Sequence, residues 1–170
     1  MRRTAYLATL TLLLLPSCAS AQVRLMVGAG VTNPMSDLNE VADAGWNLMA
    51  GMQLSVAALP VGLRADGAYH SFGEQGANPR TSMLSGALSL VVTFPGVGLS
   101  PYLLGGVGMY RTSIDVSGVE PESDSGIHGA FGVDIGAVGF GGFAEVRLVN
   151  VSAEGSGNRR FVSATLGIRM

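Results

Sequence analysis

The chain has 170 residues, enough for one domain, of which 13% are charged and 48% hydrophobic. That charged share is about half that of a typical soluble domain, too little to coat a water-facing surface of this size. All ten basic residues are arginine against twelve acidic ones, a net charge of −2, which excludes the basic footprint that nucleic-acid binding needs.

Residues 1–21 read as a secretory signal peptide. Arg2 and Arg3 form a positive start, residues 5–15 are apolar, and Ala19-Ser20-Ala21 is a small-x-small cleavage site. The apolar run stops at Pro16, short of the roughly 20 residues that span a bilayer as a helix. Cleavage after Ala21 leaves residues 22–170 as a single domain. Cys18 is the only cysteine, so that domain has no disulfide or thiolate chemistry. The rival reading takes Leu15-Pro16-Ser17-Cys18 as a loose lipoprotein signal that lipidates Cys18, with an atypical proline.

Beyond the signal the chain alternates apolar and polar or small residues with a period of two, the strand signature. Val23, Leu25, Val27, Ala29 and Val31 oppose Arg24, Met26, Gly28, Gly30 and Thr32. Trp46, Leu48, Ala50, Met52, Leu54 and Val56 form the apolar face of the second segment, and Leu63, Ala65, Gly67 and Tyr69 that of the third. The fourth carries Leu84, Leu88, Leu90, Val92 and Phe94 opposite Ser85, Ala87, Ser89 and Thr93. The fifth, residues 102–112, is blurred by Gly105, Gly106 and Gly108. In the sixth, Ile127, Phe131, Val133 and Ile135 oppose His128, Ala130, Gly132 and Asp134. In the seventh, Ala144, Val146 and Leu148 oppose Phe143, Glu145 and Arg147. The last is the clearest: Val162, Ala164, Leu166, Ile168 and Met170 on one face, Phe161, Ser163, Thr165, Gly167 and Arg169 on the other.

Eight segments of about 9–12 residues match the 9–11 that a membrane-crossing barrel strand needs, against about 5–6 in soluble sheets. Short connections at 57–61, 95–100 and 138–141 alternate with longer polar ones at 33–45, 73–80, 114–125 and 150–158. Short periplasmic turns and longer extracellular loops are the pattern of outer-membrane barrels. Pro34, Pro79 and Pro121 fall in the expected loops, Pro60 and Pro95 in turns, and Pro101 opens a strand, so none deletes a ladder hydrogen bond. The sequence therefore predicts an all-β fold: an eight-stranded antiparallel up-and-down transmembrane β-barrel.

Eight strands leave a lumen just wide enough for side chains to fill. Its predicted lining includes Arg24, Arg64, Asp66, Asp134, Glu145, Arg147 and Arg169, four basic and three acidic groups. Buried charge is tolerable only when paired, so an interior ion-pair network is expected, with Arg64, Asp66, Asp134 and Arg169 at similar height and Glu145 and Arg147 further up. Glycine, 25 of 170 residues, is about twice its usual share near 7%; Gly28, Gly30, Gly132 and Gly136 on the inward face make room for bulky neighbours.

Other motifs carry little. Gly28-x-Gly30 and Gly105-Gly106-x-Gly108 lack the following helix a phosphate loop requires. The outer-membrane deacylases and palmitoyltransferases of this size use His with Ser, the deacylases as His-x-Ser. Here Ser71 adjoins His70 and so points to the other face, and His128 is followed by Gly129 and Ala130. No catalytic, cofactor-binding or metal-ligating set is expected. Asp115, Glu120, Glu122 and Asp124 read as a solvated acidic loop, since the ordered spacing of a calcium loop is absent. Arg159 and Arg160 are candidates to meet lipopolysaccharide phosphates or to anchor at the interface.

The stretches Val61-Gly62-Leu63-Arg64-Ala65-Asp66-Gly67, Ser100-Pro101-Tyr102-Leu103-Leu104-Gly105-Gly106-Val107-Gly108 and the closing Leu166-Gly167-Ile168-Arg169-Met170, behind a signal peptide, resemble the outer-membrane β-barrel domain family. That porin-family group includes the small barrels of the OmpA and OmpX type. The resemblance covers residues 22–170 and implies outer-membrane lipid and the barrel-assembly machinery as partners, and no shared catalytic residues. Members usually end in an aromatic residue that the assembly machinery recognises; this chain has Met170. The expectation is a monomeric, non-enzymatic barrel of the Gram-negative-type envelope with a structural or surface-interaction role. A narrow porin-like channel, a lipid-modifying enzyme and a soluble periplasmic barrel holding an apolar ligand are the alternatives.

Overall fold

The computed structural model describes residues 21–36, 42–56, 59–74, 81–114, 121–137, 140–153 and 157–170. The expected signal peptide, Cys18, Pro79, Asp115 and Glu120 lie outside the described residues. Eight strands follow one another: β1 (Ala21–Ser36), β2 (Ala42–Val56), β3 (Val61–Glu74), β4 (Thr81–Thr93), β5 (Leu99–Ile114), β6 (Glu122–Ala137), β7 (Phe140–Ala153) and β8 (Gly157–Arg169). Each pairs antiparallel with the next, and β8 closes on β1 through a ladder running from Met26 opposite Arg169 to Ser36 opposite Arg159. Closure gives every strand a partner on both sides, the condition for a sheet in lipid. We call the end that carries both β1's start and β8's finish the turn end, and the opposite end the loop end.

The alternation sorts cleanly. Leu25, Leu48, Leu63, Leu88, Val107, Ile127, Val146 and Leu166 stand exposed on the outer wall, while Met26, Asn47, Arg64, Ser89, His128, Glu145 and Thr165 are buried. On β5 the ambiguity resolves with Tyr102, Leu104, Tyr110 and Thr112 inside and Leu103, Val107 and Met109 outside. Gly136 keeps the inward parity of Gly132 and Asp134, opposite Gly141, but lies exposed at the end of β6 with φ 129°, donating its N–H to the Gly98 carbonyl at 3.1 Å.

The strands are longer than the alternation suggested, 13 to 16 residues. Val61, Leu99, Ser100, Phe140 and Gly141 extend strands into the expected turns, but most of the additional residues lie at the loop end, in stretches the sequence presented as loop: 33–36 belong to β1, 42–45 to β2, 122–125 to β6 and 150–153 to β7. Ladder hydrogen bonds persist there without any need for apolar outward residues, so the pattern is silent while the pairing continues. Pro34 is thus a strand residue, buried opposite Phe161. It is tolerated because the β1–β2 ladder stops at Thr32, leaving that side of β1 an edge where a missing N–H costs no bond.

Candidate functional site: the filled lumen

The lumen is organised in layers, and its centre is ionic. Arg64 and Asp66 come from β3, Glu145 and Arg147 from β7. In a closed barrel of eight, β3 and β7 stand diametrically opposite, so pairs between them cross the full bore. Arg64 reaches Glu145 at 2.5 Å. Arg147 grips Asp66 with two hydrogen bonds, 2.7 and 3.0 Å, the bidentate fork that favours arginine, and also donates to Glu145 at 3.0 Å. Neutral groups complete the set. Gln53 accepts from Arg64 at 3.0 and 3.3 Å, Tyr102 donates to Glu145 at 2.8 Å, and the Arg64 guanidinium lies 5.0 Å from the Tyr102 ring centre. Two cations meet two anions, and all four are buried.

A second pair, Arg169 with Asp134, lies nearer the turn end. Arg24 joins no ion pair among the described residues; it donates to Gln22 at 3.3 Å. The seven expected lumen charges therefore do not form one network. Arg64 and Asp66 pair with Glu145 and Arg147 rather than with Asp134 and Arg169. Strand tilt and stagger explain this, because height in a barrel is shared along a tilted register rather than at equal distance from each turn.

Toward the loop end the lining turns neutral and then aromatic. Thr165 donates to Asn47 at 2.9 Å, Asn47 to Thr32 at 3.1 Å, and Thr32 meets His70 Nδ1 at 3.0 Å. Ser89 meets His128 Nε2 at 2.7 Å. Phe72, Met83, Tyr110, Val149, Val151 and Phe161 form an apolar plug, with the Phe161 and His70 rings edge-to-face at 4.9 Å between centres. At the mouth Arg159 turns inward, bonding Glu122 at 2.7 Å, Asp124 at 3.4 Å and Thr112 at 3.3 Å. Arg160, one residue on, points outward and donates to Asn150 at 3.5 Å. Glu122 and Asp124 are thus β6 residues holding an arginine, rather than members of a free acidic loop.

Inward glycines are the counterpart of the inward rings. A Cβ at Gly132 would collide with the Tyr102 ring, and one at Gly167 with Phe143. Gly132→Val is expected to destabilise the barrel by about 1–3 kcal/mol, the usual cost of overpacking, by displacing Tyr102 from Glu145; denaturant titration of the folded protein measures it, and an unchanged midpoint would contradict the packing.

Sequence reasoning missed Gln53, Tyr102 and the Ser89–His128 contact. Tyr102 was recoverable from its opposite parity to Leu103; Gln53 and Ser89 carried no signal that distinguished them from other polar lining.

Solved structures share this fold. Neisserial surface protein A aligns with a TM-score of 0.76 at 16% identity, covering 88% of this chain and 97% of that one. The attachment invasion locus protein Ail of Yersinia pestis gives 0.57 at 15%, over 89% and 99%. The N-terminal barrel domain of OprF from Pseudomonas aeruginosa gives 0.51 at 13%, over 88% and 99%. The fold is that of the small outer-membrane barrels. No family model and no curated protein sequence matches the chain significantly. The wall is apolar, and the buried charges gather at the centre of the lumen between apolar clusters. His70 and Ser71 are both buried, but Ser71 pairs with the outward Trp46 and so lies on the opposite face of the strand from His70. No three His, Cys, Asp or Glu side chains among the described residues gather to hold a metal.

Proposed function

We propose that this protein works in the outer membrane as a closed, monomeric, non-enzymatic barrel with a structural or surface-interaction role, exported behind the N-terminal signal. In that setting the turn end faces the periplasm and the loop end the outside. The observation that carries the reading is the central cluster: Arg64–Glu145 and Asp66–Arg147 bridge opposite walls, with the Phe72, Tyr110 and Phe161 plug above. Such a bore has neither the polar, water-filled interior of a porin nor an open cleft in which a substrate could meet His128 and Ser89.

Arg160 is the residue of the Arg159–Arg160 pair that suits lipopolysaccharide phosphates, since it stands outward at the upper border of the apolar wall. Arg159 is committed to Glu122 and Asp124, closing the mouth.

Planar-bilayer recording tests the closed bore. The expected outcome is no discrete conductance, with the same preparation showing heat-modifiable gel migration after outer-membrane fractionation. Stable ion-sized currents would replace this reading with a channel; recovery in the soluble fraction without a migration shift would remove the membrane assignment.

A further inference from the structure

The outer wall is apolar right down to the turn end, where the described turns are apolar too. On β5 every second residue from Leu99 to Met109 faces outward and none is charged; Arg111 and Ser113 follow above. At about 3.3 Å per residue and a tilt near 40° that stretch rises about 25 Å, the full height of the apolar band on such barrels. Neighbouring strands give the same limits. The outward run on β4 extends from Leu84 to Phe94 beneath Ser82, and on β6 it starts at Ile127 beneath Ser125. On β7 and β8 it is capped by Asn150 and Arg160.

The lower limit of the band therefore coincides with the turn end. Below it stand more apolar groups where polar ones would be expected. Leu59 and Phe94 are exposed, and Val97 is fully so at 106%. They belong to one tied rim: Thr93 donates to the Pro60 carbonyl at 2.7 Å and Phe94 to that of Pro101 at 2.8 Å. The described turn residues 59–60 and 94–98 contain no charged side chain, and Thr93 and Ser100, the polar residues beside them, are on the lumen side.

We infer that the described turns at this end are sunk into the phospholipid leaflet on the periplasmic side, with Leu59, Phe94 and Val97 among the lipids and the polar Gln22 and Arg24 kept to the mouth of the lumen. The inference rests on the outer-membrane reading. The occupant is lipid because the rim continues the lipid-facing wall without a polar break. Moving the barrel by one pleat to lift these side chains into water would drag Arg111 and Arg160 into hydrocarbon, where each charge is penalised more steeply with depth.

The test uses the full chain with Cys18→Ser and one new cysteine, Val97→Cys, carrying an environment-sensitive fluorophore, in phosphatidylethanolamine–phosphatidylglycerol vesicles. Ser152→Cys, outward above the band, is the water-facing reference. The expected result is loss of iodide quenching at position 97 relative to 152, a blue-shifted emission, and quenching by lipid bearing a doxyl group high on the acyl chain. Iodide access at 97 equal to that at 152, in barrels that float with the vesicles, would overturn the inference alone and leave the rim for a periplasmic protein. Efficient disulfide cross-linking between Val97→Cys copies in dilute vesicles would assign it to a second copy and equally overturn it. Failure of the folded protein to float would overturn the outer-membrane reading, and this one with it.

Discussion

Arg147→Ala is expected to cost about 3–5 kcal/mol of stability, the range for removing one partner of a buried ion pair. The substitution strips Asp66 of both guanidinium hydrogen bonds and leaves its carboxylate, a fully buried side chain, without a counter-charge across the bore. Glu145 suffers less, because Arg64 and Tyr102 remain. The neutral quartet becomes a net anion in a low-dielectric interior, where an unpaired charge is most expensive. Asp66→Ala with Arg147→Ala removes both members and restores neutrality, so part of the loss should return; non-additivity of this kind marks directly coupled residues. Urea unfolding of the refolded barrel, followed through Trp46, the only tryptophan and an outward one, measures all three variants. A single mutant within about 0.5 kcal/mol of the parent, the usual range for an uncoupled surface change, would show that the pairs do not hold the walls together.

What the sequence reveals of this barrel is what lipid enforces. Each outward position must be apolar, so Leu63 against Arg64, or Val146 against Arg147, declares its face with no knowledge of the partner strand. The same rule falls silent where lipid ends. Asn33 to Ser36 and Glu122 to Ser125 are paired strand, yet nothing constrains their outward side chains, and they look like loop. Glycine is silent in a second way: Gly106 and Gly108 face inward and Gly105 outward, but without a side chain none of them can advertise it. The identity of the lumen charges is legible from parity, whereas their pairing is not. That Arg64 finds Glu145 rather than Asp134 depends on the relative heights of strands far apart in the chain. Arg159 shares parity with Phe161 and Ser163, so its inward turn was available to reading; its neighbour Arg160 and the polar stretch before it obscured that.

Leu88→Arg separates a lipid-facing wall from a water-facing one most sharply. Leu88 sits midway along the outward run of β4, between Leu84 and Phe94, opposite Ala65 and Val107, and is well exposed. On a soluble barrel an arginine there would be neutral or mildly favourable, since it replaces exposed apolar surface with charge and breaks no buried contact. In a bilayer the same position is near the midplane, where arginine costs about 2–4 kcal/mol, falling to about 0–1 near the interface. Ser82→Arg, on the same strand and face but above the band, supplies the interface comparison. The expected result is thus a gradient: a large loss at 88 and little at 82, measured by unfolding in lipid vesicles, with both variants retaining heat-modifiable migration. Equal and negligible costs at the two heights would mean that the exposed leucines of β4 do not meet hydrocarbon. The gradient also depends on which way the side chain points, because a one-residue slip of β4 would bring Leu88 inside and put Ser89 in lipid. Ser89 is within 2.7 Å of His128, over Gly106 of the strand between them, a contact that such a slip would abolish, so a midplane penalty at 88 tests the register and the membrane together.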